Sequence, residues 1–207
     1  MSKTFPFLIL MFVFVFSAGF IIGFFLDRSS IVYTEGEMDI LRDDIESMQL
    51  QEMFASAEAA DCNLIYSAMG KNSYDLYDLV DRLRTTPPES REFAEMKKDA
   101  DFLSLKAWMI AKKVERTCSA DILPILFVYS GNCQGCEAQD AVLKSIKEKY
   151  EQVYVYAIDF ELGEQSTELV KAAYSIGSAP AMIIGSELYG RLSEDELEEI
   201  ACDAINC

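Results

Sequence analysis

Two cysteines stand where one kind of secondary structure must give way to another. Residues 122–129 read ILPILFVY, a short continuous apolar run of the kind that fills a strand buried on both faces. Gly131 and Asn132 break the run, and Cys133-Gln134-Gly135-Cys136 follow at once. Apolar residues then recur at Ala138, Ala141, Val142, Leu143 and Ile146, a helical spacing that ends near Tyr150. The dithiol is therefore expected at a strand-to-helix junction. A cysteine at a helix N-terminus faces backbone N–H groups without helical partners, and these favour thiolate over thiol. Two intervening residues let the second sulfur reach the first. Cys133 is expected to be the exposed attacking thiolate, and Cys136, one turn deeper, the thiol that resolves a mixed disulfide.

The pattern continues to the carboxyl end. Residues 153–158 read as a strand, 166–174 as a helix ending near Gly177, and 181–184 as a strand introduced by Pro180. A turn at Gly185-Ser186 leads to a fourth strand over 187–191, and an acidic helix over about 194–204 turns Leu197 and Ile200 inward. The fold class is α/β, with the order β-α-β-α-β-β-α. This order, with a CxxC opening its first helix, resembles the thioredoxin fold over residues 121–207. Cys133, Cys136 and Pro180 carry the resemblance. It implies a cis Pro180 packed across from the cysteine pair, with Ala179, Asn132, Gln134 and Gly135 forming the substrate-contacting surface. Proline lacks an N–H and holds an extended backbone beside the sulfurs.

The chain also departs from the thioredoxin pattern. Asn132 replaces the usual tryptophan, Gln134-Gly135 replaces Gly-Pro, and Phe127 stands where that family has a buried acid. Ala179 is smaller than the common β-branched residue. Glu137 and Asp140 follow the motif and oppose thiolate formation. The direction of electron transfer, as oxidase, reductase or isomerase, stays open.

Composition removes other chemistries. The 207 residues include no histidine, which excludes Ser-His-Asp and Cys-His catalysis and imidazole metal ligands. There is no second CxxC to complete a zinc site, so no metal and no cofactor beyond the Cys133–Cys136 disulfide is expected. Eighteen basic residues against 35 acidic ones argue against nucleic acid as a partner. The acidic surface, crowded at Glu194, Asp195, Glu196, Glu198 and Glu199, reads as a solvated face.

A net charge of -17 sits oddly with a mean hydropathy of +0.09. The excess lies in residues 5–26, FPFLILMFVFVFSAGFIIGFFL, which carry no charge. As a helix this segment is about 33 Å long, enough to cross a bilayer. Apolar sequence continues past the small residues Ser17-Ala18-Gly19, which favours an uncleaved signal anchor over a cleaved signal peptide. Residues 1–28 are expected to form that transmembrane anchor in contact with lipid. The slight basic bias of the amino terminus places the soluble part outside the cytoplasm.

Between anchor and dithiol, residues 29–120 read as helical and as packing on the C-terminal domain. One amphipathic stripe runs from Met38 to Phe54, and another covers 73–84 with Ser73 as N-cap. Thr85-Thr86-Pro87-Pro88 breaks the pattern, and Pro88 opens a helix to about Thr117. No catalytic pattern appears in this region.

Four further cysteines allow three pairings once Cys133 and Cys136 are joined. Cys62–Cys118 with Cys202–Cys207 is favoured, and free buried thiols are the alternative. A Cys202–Cys207 bond requires the last helix to end before Cys207, because residues five apart in a helix are too far separated.

The sequence thus points to a membrane-anchored thiol–disulfide oxidoreductase. Its expected partners are exported protein thiols or disulfides, and a membrane redox partner. The rival reading is a redox-inactive thioredoxin-like module that only binds a partner.

Overall fold

Why two helices should precede the sheet follows from their caps and their apolar faces. The computed structural model describes residues 61–207. The expected anchor (1–28) and the stripe at 38–54 lie outside the described residues. Among the described residues, no helix is long and apolar enough to cross a membrane.

Helix α1 spans Cys62–Thr85 and is capped by the Asp61 carboxylate, which accepts from the Asn63 N–H at 3.0 Å. Its buried residues Ile65, Met69, Asn72 and Leu79 form one stripe. The expected start at Ser73 is wrong. Gly70, Asn72 and Ser73 are weak helix formers, but the Asn72 amide donates to the Leu103 carbonyl of the next helix at 3.1 Å, and packing overrides propensity. Helix α2 spans Arg91–Cys118. It opens not at Pro88 but after Ser90, whose hydroxyl accepts from the Phe93 N–H at 3.0 Å. Leu79 of α1 meets Met96 and Ala100 of α2 in a small core shared by the two helices.

A four-stranded sheet follows, with strands β1 (Leu123–Tyr129), β2 (Val153–Asp159), β3 (Ala181–Ile184) and β4 (Glu187–Tyr189) in the order β2-β1-β3-β4. Helices α3 (Cys136–Lys149), α4 (Gln165–Tyr174) and α5 (Glu194–Ile205) complete the element order expected for this part of the chain. Strand β1 pairs in parallel with β2 and antiparallel with β3. Being central, it is buried from Leu123 to Val128, which is why its sequence is apolar without alternation. One face of the sheet packs Ile125, Phe127, Met182 and Ile184 against Leu143 and Ile146 of α3 and Leu197 and Ala201 of α5. Each such aliphatic side chain contributes about 1.5–3 kcal/mol on burial.

Helix α2 lies against β1 and β2. Small residues, Ser104, Ala107 and Ala111, are buried along it beside the larger Leu105, Trp108 and Val114. At the β2 edge the Ser104 hydroxyl accepts from the Ala157 N–H at 3.0 Å, and the Asp101 carboxylate accepts from the Asp159 N–H at 2.7 Å. Two backbone donors that a further strand would use are thereby occupied. Farther along, the buried Lys112 ammonium donates to the Gly185 carbonyl at 2.8 Å and the Tyr174 hydroxyl at 3.0 Å. It lies 4.6 Å from the Trp108 ring centre. These contacts replace its hydration and pin α2 to the β3–β4 turn.

Candidate functional site at the Cys133–Cys136 dithiol

The carboxyl end of β1 delivers the cysteines. Beyond Tyr129 the chain turns so that the Cys133 N–H donates to the Ser130 carbonyl at 3.3 Å, and α3 begins at Cys136. Gly135 is the N-cap, with φ of 102°. It has no side chain, so no cap oxygen competes for the first-turn N–H groups of α3. Cys133 and Cys136 are joined in a disulfide with Cα atoms 5.4 Å apart. Cys133 is partly exposed and Cys136 is 8 % exposed, so one sulfur faces outward and the other inward. Asn132 and Gln134 are exposed beside them, and Gly135 is half-buried.

The sheet register brings Pro180 to the same place. Val128 pairs with Ala181 in the last step of the antiparallel ladder, so Pro180, the residue before β3, stands at the end of the sheet where Tyr129 leads into the cysteine loop. The Ala179–Pro180 bond is cis. Cys133 and Ala179 both pack on the core that contains Cys136, together with Tyr129, Tyr189 and Leu192. The structure thus gathers Cys133, Cys136, Asn132, Gln134, Gly135, Ala179 and Pro180 at one end of the sheet.

Two pairs of cysteines lie elsewhere. Cys62 opens α1 and Cys118 closes α2; two antiparallel helices bring these ends together, and the residues are disulfide-bonded with Cα atoms 5.7 Å apart. Cys202 and Cys207 are bonded across a helix end that Asn206 closes in the left-handed region, with φ of 56°. Cys202 Sγ lies 3.5 Å from the Tyr150 hydroxyl, just past the far end of α3. Cys136 starts that helix, so about 20 Å of helix separates this bond from the dithiol. Direct exchange between the two within one molecule is excluded in this fold.

Several residues of the site had no sequence signal. The expected fourth strand over 187–191 stops at Tyr189. Gly190, Arg191 and Leu192 instead fold back to α3, where the Leu192 N–H donates to the buried Gln139 side chain at 2.9 Å. Arg191 consequently lies over Gly135. A side-chain carbon placed on Gly135 would stand 3.0 Å from Arg191 Cδ and 3.1 Å from its Nε and Nη1. Gln139 is legible only as a polar residue on the apolar face of α3, one turn after Cys136.

Behind the cysteine loop is a buried charged cluster. Lys97 of α2 pairs with Asp159 and lies 5.7 Å from the Tyr129 ring centre. Asp159 also accepts from the Glu161 N–H at 2.9 Å, while the Phe160 N–H donates to the Tyr129 carbonyl at 2.7 Å. These bonds tie the end of β2 to the end of β1. Burial pushes the Asp101 carboxyl up to about 6; the Asp159 N–H opposes that shift and the Asp159 charge adds to it. Burial also raises the Tyr129 phenol, helped by Asp101 and Asp159. Phe127 stacks on Tyr129 with ring centres 6.2 Å apart, so β1 places no carboxylate beneath the sulfurs there.

No protein-family model matches the chain, and no curated protein matches it. Solved structures similar to it include thioredoxins. The germline-specific thioredoxin Deadhead from Drosophila melanogaster is 20 % identical over 48 % of this chain and 92 % of its own, with a TM-score of 0.37. The Schistosoma mansoni thioredoxin pre-protein is 21 % identical over 41 % of this chain and 80 % of its own, at 0.33. Mitochondrial thioredoxin 3 from Saccharomyces cerevisiae is 17 % identical over 38 % and 76 %, at 0.32. At these scores the likeness decides nothing by itself. The order of elements and the cis bond at Pro180 agree with the resemblance read from the sequence.

Proposed function

We propose that this chain is a thiol–disulfide oxidoreductase with a thioredoxin-like domain, tethered to a membrane and acting outside the cytoplasm on exported proteins. One observation carries the reading: a partly exposed and a buried cysteine at the uncapped N-terminus of α3, at the end of the sheet where β1 closes and the cis Pro180 precedes β3.

In the reducing direction, the Cys133 thiolate attacks one sulfur of a substrate disulfide. A Cys133–substrate bond forms, the substrate bond breaks, and the leaving thiolate takes a proton from water. The Cys136 thiol then gives up its proton and attacks Cys133 Sγ. The second substrate thiolate leaves, and two electrons have moved from the dithiol to the substrate. The same steps run backwards oxidise a dithiol substrate. With no imidazole anywhere in the chain, the α3 N–H groups are the activating device for Cys133.

The uncharged run at 5–26 supports the tether, and the pairing of all described cysteines fits an oxidising compartment. Two measurements test the parts separately. In the reduced full chain the Cys133 thiol should titrate below the free-cysteine value of about 8.5; a value at or above it removes the activation argument. A membrane-impermeant thiol reagent should label the reduced domain on intact cells, and labelling only after lysis would reverse the placement.

A further inference from the structure

Arg191 sits on the dithiol turn and makes no ion pair among the described residues, a condition it shares with Lys71, Arg82, Arg84, Lys106, Lys113 and Lys147. What sets Arg191 apart is its place: its guanidinium lies against Gly135, between the two cysteines in sequence. Its position is built. Gln139, 2 % exposed and one turn after Cys136, holds the Leu192 N–H, and Gly135 leaves room for the side chain by lacking a Cβ. Arg191 is solvent-exposed, as are Asn132 and Gln134, and it lies over Gly135, two residues after the partly exposed Cys133.

We propose that Arg191 is a specificity-determining residue whose guanidinium docks a carboxylate carried by the substrate next to its reacting cysteine. This rests on the exchange reading above. A guanidinium presents a planar fork of N–H donors that matches a carboxylate and forms charge-assisted hydrogen bonds. The acidic body of the protein does not cancel this preference. At physiological ionic strength the Debye length is about 8 Å, so distant carboxylates are screened while a contact pair is not. The acids nearest to it in sequence are Glu194, Glu187 and Asp195; Glu194 accepts from the Ser145 hydroxyl and Glu187 from the Tyr189 hydroxyl, while of the acids after the motif Asp140 pairs with Lys144. Arg191 donates hydrogen bonds and takes no proton, so it has no acid–base part in the exchange.

The test uses the reduced full chain in detergent and three disulfide-bonded peptides. These differ only in having Glu, Gln or Lys beside the attacked cysteine. The readout is the second-order rate constant of peptide reduction. The wild type should favour the Glu peptide over the Gln peptide by about fivefold, the range of an exposed ion pair. Arg191→Gln should level the series, and Arg191→Glu should favour the Lys peptide. That last gain is one a merely damaged fold cannot produce. The same ranking in all three proteins overturns the inference. So does a uniform slowing of all peptides with a rise in the Cys133 thiol pKa, which would make Arg191 a tuner of the thiolate. If the wild type reduces none of the peptides, the exchange reading fails and this inference fails with it.

Discussion

Asp101 shows how one side chain serves the fold at a cost in charge. Its carboxylate closes the β2 edge by accepting the Asp159 N–H, yet it is 5 % exposed and faces the Asp159 carboxylate. Lys97 offsets part of that repulsion, and Glu164 adds to it. The folded pKa of about 6 lies above the ordinary carboxylate value, so the native state binds the proton more readily than the unfolded state. The contribution is fully present below about pH 4 and is lost as pH rises through 6. Asp101→Asn keeps the acceptor and removes the charge. Relative to that variant, the wild type should gain about 2–3 kcal/mol as pH falls from 7 to 4. Urea unfolding of both proteins across that range reads the difference directly, and parallel curves would refute it. At this scale Cys133, Cys136 and Pro180 were legible, because spacing and a strand-to-helix change mark them. Arg191, Gln139 and Asp101 were not. Their roles arise from a loop returning to α3 and a helix crossing a strand edge, contacts that no local pattern encodes.

Among the elements, α2 does the least expected work. The sequence reading assigned this stretch a helix packing on the C-terminal domain, but not the sealing of a sheet edge. Ser104 carries part of that task through Ala157. Ser104→Ala should leave that N–H without a partner and destabilise the fold by about 1–2 kcal/mol. Amide hydrogen exchange at Ala157 should quicken more than at Ile158; unchanged exchange at Ala157 would show the contact to be idle. Boundaries set by side-chain caps were harder to read than the elements themselves. Ser73 and Pro88 both resemble helix openings, but Asp61 and Ser90 hold the bonds. Strand β4 was read two residues too long because Gly190 and Arg191 belong to the loop that reaches Gln139.

The molecule as described is a sheet with helices on both faces, its chemistry at one end and two of its three disulfides away from that end. The helical pair is stapled to itself by Cys62–Cys118, a bond spanning 56 residues, whereas Cys202–Cys207 spans five. Loop-closure entropy makes the first worth about 4 kcal/mol and the second about 2. Cys62→Ser with Cys118→Ser should therefore lower the unfolding free energy by more than Cys202→Ser with Cys207→Ser, and an equal loss would show that chain entropy is not the governing quantity. Neither pair should alter the rate of disulfide exchange. The central claim, that Cys133 attacks and Cys136 resolves, is tested most directly by trapping. Full-length Cys136→Ser, expressed in intact cells, should accumulate mixed disulfides with other proteins through Cys133, visible on non-reducing gels and abolished by further changing Cys133→Ser. If Cys136→Ser captures nothing, or captures equally without Cys133, the account is contradicted.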